Sequence, residues 1–168
     1  MVRVKAVVSY DGSKFHGFQV QNNLRTVQGE IQKALKNICK EKIIIHGSGR
    51  TDAKVHGVKQ VFHFDTNSNL PEKQWKRAIN HFLPNDIYIL DTEFVDEDFH
   101  SRYSAIKKEY HYLLSVNEYN PFQTNYIYQY GRELDLKLMQ EAAKIFIGEH
   151  DFASFCSSME TVHDHADH

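Results

Sequence analysis

Residues 43–64, IIIHGSGRTDAKVHGVKQVFHF, place a polar, glycine-rich loop between two apolar segments. Residues 43–45 predict a short buried strand and residues 58–64 predict a second one. The loop between them, residues 47–57, is therefore expected at one end of a sheet, where buried strands hold loop side chains in place. This stretch indicates both the sheet and the candidate functional site.

Two elements are predicted before this stretch. The first is a strand in which every second residue is apolar, a pattern typical of a half-buried strand: Val2, Val4, Ala6 and Val8. The second is a helix capped by Thr26. Its apolar residues recur at helical spacing: Val27, Ile31, Leu35 and Ile38.

A second helix and a fourth strand are predicted after it. Pro71 suits the first turn of a helix. The face of that helix predicted to be buried carries Trp75, Ile79 and Phe82. Residues 87–94 predict the fourth strand. The resulting βαββαβ order is that of the ferredoxin-like arrangement, in which helices cover one face of an antiparallel sheet and leave the other free for a ligand.

The pattern changes after the acidic residues 96–98. Residues 106–116 predict a long strand, residues 126–130 a shorter one, and Asp135 the cap of a helix. That helix carries four apolar residues and is ended by a glycine: Leu138, Ala142, Ile145, Phe146 and Gly148. We expect an α+β protein. Its ferredoxin-like unit at 1–98 carries the loop, an incomplete second α+β unit begins at 99–156, and an atypical, disordered tail occupies 157–168.

The composition excludes several classes of protein. With 41% hydrophobic and 25% charged residues in 168, the chain is neither collagen-like nor wholly disordered. No apolar run reaches the ~18 residues that a membrane span needs, and the amino terminus lacks the apolar region of a secretion signal. Cys39 and Cys156 are too few for a disulfide scaffold. We expect a cytoplasmic protein without membrane association.

The charge is unevenly distributed along the chain. The net charge of −2 combines +7 on residues 1–60 with −9 on residues 61–168. This asymmetry indicates a polyanion bound by one face of the protein. Ordinary solvated surfaces are the alternative, and charge alone does not separate the two.

Asp52 and Arg50 are the two charged residues of the loop that are candidates for a catalytic role. A cation near Asp52 favours the ionised carboxylate, which is suited to act as nucleophile or base. Two structural alternatives are open: Asp52 bonded to backbone amides in a turn, and an Arg50–Asp52 ion pair that braces the loop. The Gly-Ser-Gly turn suits a phosphate, but the Lys-Ser/Thr ending of a P-loop is missing.

Residues 49–57, GRTDAKVHG, resemble the signature of the TruA family of tRNA pseudouridine synthases. Further segments follow the order of that family: YDG and FHGFQ in 10–19, TVQG at 26–29, Asn80 with LPNDI at 83–87, FHSRYSA with YHY in 99–112, and GEHDF at 148–152. The resemblance runs from about residue 3 to residue 156. It implies the pseudouridine synthase fold and the isomerisation of uridine in the anticodon stem-loop (positions 38–40) of tRNA. It also implies a homodimer and no metal or cofactor.

The resemblance also implies roles for individual residues. Asp52 is the expected catalytic nucleophile, because a carboxylate stabilises or traps the oxocarbenium-like centre left when the C1′–N1 bond breaks. Arg50 is expected to orient Asp52 and to meet the phosphate of the flipped nucleotide, and Tyr110 to stack on the uracil. The remaining expected substrate-binding residues are Thr51, Arg102 and Gln19.

Other side chains are open to two interpretations. Lys107, Lys108 and Arg102 are either phosphate contacts or a solvated strand face, and we favour the phosphate contacts. Phe15, His16 and Phe18 are expected in the core, so that in this segment only the Gln19 side-chain amide is left to contact a ligand. His56 and His63, like His16, are expected to form hydrogen bonds.

Two departures from the family are visible. Lys54 stands where the family usually has glycine; a positive φ there would strain lysine by about 1 kcal/mol or more, and otherwise the lysine adds positive charge beside Asp52. Family members also continue well past the GEHDF segment. The chain therefore has an alternative interpretation as a truncated, catalytically inactive RNA-binding fragment. A small-ligand regulator is disfavoured by the many ordered motifs, and the histidines of the tail are not expected to form a metal site.

Overall fold

The chain contains two compact units. In this computed structural model residues 1–155 are described; the first unit is Met1–Tyr112 and the second begins at Leu113. The predicted boundary after residue 98 stays a prediction, although residues 99–112 here belong to the first unit. The tail predicted at 157–168 lies outside the described residues.

A four-stranded antiparallel sheet forms the centre of the first unit. Its strands are β1 (Val2–Tyr10), β2 (His46–Gly47), β3 (Gly57–Thr66) and β4 (Ile87–Val95). Their spatial order is β2-β3-β1-β4, and every neighbouring pair is antiparallel. Two helices make the connections, α1 (Val27–Cys39) and α2 (Glu72–Phe82). The predicted α+β class and the βαββαβ order are confirmed.

The helices share one hydrophobic core with the sheet. Val4, Ala6 and Val8 of β1 are fully buried, as the alternating pattern predicts. The helices contribute their apolar faces to the same core: Val27, Ile31, Ala34 and Leu35 from α1, and Trp75 and Ile79 from α2. The prediction that Phe82 is buried with them is wrong, since this last residue of α2 is 45% exposed.

Both ends of α1 follow from local chemistry. Thr26 caps the helix as predicted, because its Oγ1 accepts a hydrogen bond of 3.3 Å from the Gly29 amide. The helix ends at Lys40, which adopts the left-handed conformation with φ +60° and donates its amide to the Lys36 carbonyl at 2.9 Å.

The strand predicted at residues 43–45 is wrong. Ile43 and Ile45 are buried and Ile44 is 57% exposed, but the ladder begins only at His46. Two α1 side chains supply the backbone partners of Ile45. Its amide donates to Gln32 Oε1 at 3.2 Å, and its carbonyl accepts from Gln28 Nε2 at 3.0 Å. Because the two glutamine side chains provide hydrogen-bond partners for the backbone N–H and C=O of Ile45, this residue does not need a neighbouring strand to pair with.

The second unit has little regular structure. It holds a two-residue parallel pair, β5 (Leu114–Ser115) with β6 (Tyr128–Gln129), followed by α3 (Leu136–Ala143). Asp135 caps α3 as predicted, since its Oδ1 accepts from the Leu138 amide at 3.0 Å. The helix is shorter than predicted, because Lys144–Phe146 forms a 3-10 turn.

The long strand predicted at residues 106–116 and the shorter one predicted at 126–130 are each reduced to two residues, those of β5 and β6. Residues 106–112 form no strand, so their aromatic and β-branched content was not sufficient to form a ladder, whereas the Leu113 carbonyl accepts a hydrogen bond from the Tyr128 amide at 2.8 Å. No residue from 113 to 155 is buried. Within residues 1–155, none of the helices is both long enough and apolar enough to cross a membrane.

Candidate active site

The 47–57 loop joins β2 to β3 and is held by residues 12–18, which follow β1. The Phe18 amide donates to the Thr51 carbonyl at 3.0 Å, and the Lys54 amide donates to the Phe15 carbonyl at 3.1 Å. Phe15 and Phe18 are themselves buried, as predicted, whereas His16 is exposed, contrary to the prediction that placed it in the core. The loop backbone is therefore anchored to the core on both sides of Asp52.

Two glycines let the chain approach the loop closely. Gly17 has φ +88°, and a Cβ there would lie 2.7 Å from the Thr51 carbonyl oxygen. A Cβ at Gly12 would lie 2.0 Å from the Val55 carbonyl oxygen, which is an impossible contact. The Gly12 amide also donates to His56 Nδ1 at 3.1 Å, so His56 forms a hydrogen bond as predicted. Any side chain at Gly12 or Gly17 would displace the loop.

A buried tyrosine braces the loop on both sides of Arg50. The Tyr10 hydroxyl donates to Gln60 Oε1 at 2.6 Å and lies 2.9 Å from Thr51 Oγ1. Gln60 Nε2 in turn donates to the Gly49 carbonyl at 2.7 Å. Burial raises the pKa of Tyr10, so it remains a neutral phenol and a reliable donor. Hydrogen bonds thus hold the Gly49 carbonyl to Gln60 of β3 and the Thr51 side chain to Tyr10 of β1.

Asp52 and Arg50 are exposed and available to a ligand. Within residues 1–155, neither side chain takes part in an ion pair or a hydrogen bond. The predicted alternative of an Arg50–Asp52 ion pair is therefore wrong for this structure. The turn at Asp52 is closed by its backbone carbonyl, which accepts from the Val55 amide at 3.2 Å. Its carboxylate has no part in the turn, which removes the second structural alternative.

Tyr110 and Lys108 lie close to this loop. The Tyr110 phenol contributes to the raised pKa of Tyr10, which places it near the tyrosine that holds Thr51. A Cβ built on Gly49 would lie 3.3 Å from Lys108 Nζ. Tyr110 is 76% exposed. The structure therefore brings these two side chains to the loop from a segment about 60 residues further along the chain.

The other two predicted substrate-binding residues are Gln19 and Arg102. Gln19 is exposed and directly follows Phe18, so it stands beside the anchor of Thr51. Arg102 is exposed as well, but its contacts among the described residues are local. Its amide donates to His100 Nδ1 at 3.2 Å, and its guanidinium lies 5.9 Å from the centre of the Tyr103 ring.

Ser101 is a positioning residue that the sequence did not reveal. It is buried; its amide donates to His63 Nδ1 at 3.2 Å, and its hydroxyl donates to the carbonyl of His46, just before the loop, at 2.6 Å. Burial, with smaller effects from His100 and His46, lowers the pKa of His63 to about 4. The neutral His63 ring accepts the hydrogen bond from the Ser101 amide. Together with the bond to His46, it holds residues 99–104 against β2 and β3. No periodicity or spacing signals this contact across 38 residues.

Lys54 has the left-handed conformation, with φ +68°. Of the two sequence-based alternatives, the structure supports the strained one, at a cost of about 1 kcal/mol relative to glycine. The loop otherwise offers a carboxylate, a guanidinium and two hydroxyls. Within the described residues, no group of three His, Cys, Asp or Glu side chains is placed to hold a metal ion.

Comparison with known proteins gives a consistent result. Residues 6–104 match the family model described as tRNA pseudouridine synthase. The chain is 52% identical over 164 residues to tRNA pseudouridine synthase A of Oceanobacillus iheyensis, covering 96% of this chain and 65% of the relative. It is 44% identical over 166 residues to tRNA pseudouridine synthase A of Bacillus subtilis, with 97% and 67% covered. The chain thus spans about two thirds of the length of these curated relatives.

Proposed function

The chain belongs to the tRNA pseudouridine synthase family, and from that premise we propose that it isomerises uridine to pseudouridine in tRNA, with Asp52 as the catalytic nucleophile. The proposed target is the anticodon stem-loop. The observation that carries the proposal is the Asp52 carboxylate itself. It is exposed, it has no partner among the described residues, and it stands in a loop whose backbone is anchored on both sides.

The proposed reaction needs a carboxylate at the sugar. The C1′–N1 bond breaks, and positive charge develops at C1′, where an anionic oxygen stabilises or captures it. The detached uracil turns, a bond forms between C1′ and C5, and the proton on C5 is released while N1 gains one. All atoms of the nucleotide other than exchanged protons are retained. A carboxylate free of other partners is suited to this role.

The neighbouring side chains have distinct proposed roles. The exposed Arg50 guanidinium is suited to a phosphate, because it offers several donors in a fixed plane. Tyr110 presents an exposed ring on which a flipped base can stack, after the base has left the helix at a cost of a few kcal/mol. Thr51 is held by Tyr10 and keeps a lone pair for the substrate. Gln19 and Arg102 complete the proposed substrate contacts.

A second candidate function is RNA binding without turnover. One observation favours it: no residue between 113 and 155 is buried, so the second unit contributes no packed wall of its own. The unpaired cations of the loop would serve RNA binding whether or not catalysis occurs.

Release of tritium from C5-labelled uridine in an unmodified tRNA transcript tests the proposal. We expect wild-type protein to release tritium, and Asp52→Asn to release none while its affinity for the transcript stays within about tenfold, since the amide preserves shape but not nucleophilicity. Asp91→Asn, on the exposed part of β4, is the matched control and should behave as wild type. Wild-type turnover by Asp52→Asn would refute the catalytic assignment. Binding without release by wild type would favour the second candidate.

The proposal extends to a cytoplasmic homodimer, for which the family resemblance is the sole support. Light scattering coupled to gel filtration, with and without tRNA, measures the number of chains directly. A monomer under both conditions would contradict this part of the proposal and leave the assignment of Asp52 untouched.

A further inference from the structure

Lys54 is the most conspicuous side chain of the loop to which the proposed reaction assigns no role. Its φ of +68° lies in the left-handed region, which residues with a Cβ rarely adopt and glycine adopts freely. The conformation is imposed by the surroundings. The Lys54 amide donates to the Phe15 carbonyl at 3.1 Å, and the Asp52 carbonyl closes a turn with the Val55 amide. A lysine therefore stands where the backbone conformation favours glycine, two residues after Asp52.

The charge of Lys54 has no ion-pair partner among the residues that the structure describes. Its side chain is exposed and, within residues 1–155, forms no ion pair. Three other lysines of the chain differ in this respect. Lys5, Lys33 and Lys107 pair with Glu93, Glu30 and Glu109 at 2.6, 3.0 and 3.1 Å. The ammonium group of Lys54, two residues after Asp52, is thus left without a carboxylate partner among the described residues.

Two more cations share this property at the same loop. Lys108 Nζ would lie 3.3 Å from a Cβ built on Gly49, and the Arg50 guanidinium is exposed on the next residue. Neither takes part in an ion pair within the described residues. Three cations therefore surround a loop that contains a single carboxylate. Such an excess of positive charge suits a ligand with several negative charges spaced along a strand.

We propose that Lys54, together with Lys108, binds phosphodiester groups of the RNA strand on either side of the nucleotide that enters the site. Arg50 meets the phosphate of the target nucleotide itself, so Lys54 and Lys108 extend the contact to its neighbours. Each lysine acts as a point charge, which positions the strand without reading its sequence. This inference rests on the proposed function, because it takes the loop as the place where RNA enters.

Lys40 provides a matched control for the test. It is an exposed lysine with φ +60°, it lies at the end of α1, and it has no ion-pair partner among the described residues. Lys40→Gly and Lys54→Gly therefore make the same chemical change in the same backbone conformation. Both relieve the left-handed strain and both remove one positive charge, but only one of them lies in the loop.

The experiment measures the affinity of the 168-residue chain for an unmodified tRNA transcript across a series of salt concentrations. We expect Lys54→Gly to weaken binding about two- to fivefold and to reduce the slope of log affinity against log salt by about 0.7–0.9, the contribution of one phosphate contact. Lys108→Gln should do the same. Lys54→Arg should retain the wild-type slope, and Lys40→Gly should leave both affinity and slope unchanged.

Each other outcome overturns the inference. An unchanged slope for Lys54→Gly, an equal loss for Lys40→Gly, or the absence of tRNA binding by the wild-type chain would each contradict a phosphate contact at Lys54. Thermal unfolding of the same variants checks the strain, and both glycine variants should unfold at a higher temperature than wild type. Failure of the proposed function appears separately, as tritium release that does not depend on Asp52.

Discussion

The two units of this chain show how differently a helical pattern is used. In the first unit, the apolar face of α1 is buried against the sheet, and Leu35 is fully inaccessible to solvent. In the second unit, α3 has an equally regular apolar face and a proper Asp135 cap, yet Leu138 on that face is 61% exposed. The pattern is sufficient to form each helix. Burial additionally requires a surface for the helix to pack against, and most helical stability in proteins comes from that packing.

The difference in packing between the two units also bears on the position of the candidate active site. The 47–57 loop is tied by hydrogen bonds to β1, β3 and the buried residues Phe15 and Phe18, so the packing of the first unit sets the position of Asp52. The exposed residues of the second unit have no comparable set of anchors among the described contacts. Substitutions in the two units should therefore differ in kind as well as in size.

The largest difference is expected from truncating the same residue type on the two helices. Leu35→Ala should lower the free energy of unfolding by about 2–5 kcal/mol, because it leaves a cavity in a packed core. Leu138→Ala should change it by less than about 0.5 kcal/mol, because the side chain is mostly solvated already. Urea denaturation followed by circular dichroism measures both. Equal losses of stability in the two variants would contradict the difference in burial between Leu35 and Leu138.

A second difference is expected from the buried histidine of the first unit. The pKa of His63 is lowered to about 4 from 6.5 by burial, so between these values the unfolded chain binds a proton that the folded chain does not. Stability should therefore fall as the pH is lowered from about 6.5 to 4, by up to about 3 kcal/mol from this group. The charged and titratable neighbours that enter this balance are Arg3, Lys5, Asp65, His46 and His100.

His63→Gln isolates this contribution, because glutamine keeps an acceptor for the Ser101 amide but does not titrate. The free energy of unfolding should be measured for both proteins at pH 7.5 and pH 4.5. We expect wild type to lose more stability than His63→Gln over this interval, since other acids contribute equally to both. The same loss in both proteins would exclude His63 as the cause.

The smallest expected effects come from the two helix caps. Thr26→Ala and Asp135→Ala each remove one side-chain bond to a helix amide, at 3.3 and 3.0 Å. Thr26→Ala should lower the stability of the main unfolding transition by about 1 kcal/mol. Asp135→Ala should reduce helix content without moving that transition, because α3 is not buried with the core. A shift of the main transition by Asp135→Ala would show that the two units unfold together.

Much of the first unit was predictable because its signals are local. Alternation in β1, the Thr26 cap and the spacing of apolar residues in α1 each depend on a few neighbouring residues, and the structure confirms them. The strand predicted at residues 43–45 and the greater part of the one predicted at 106–116 failed for a common reason. A strand depends on a partner for its backbone, and local propensity does not show whether that partner is another strand, a glutamine side chain or nothing.

The candidate site also has a part that the sequence predicts and a part that it does not. The loop and its Asp52–Arg50 pair were predicted from composition and position, and Tyr110 only through the family resemblance. The contacts that hold the loop join residues far apart in sequence: Tyr10 with Thr51 and Gln60, and Ser101 with His63. Several of these residues stand in the motifs quoted above, but nothing in a single sequence shows which of them pair with one another.

The role of Asp52 is tested most directly by tritium release by wild type and Asp52→Asn from the same C5-labelled transcript, with tRNA binding measured in parallel. We expect release by wild type, none by Asp52→Asn, and affinities within about tenfold of each other, because the amide retains the shape of the site but not its nucleophile. Turnover by Asp52→Asn at the wild-type rate would contradict this role.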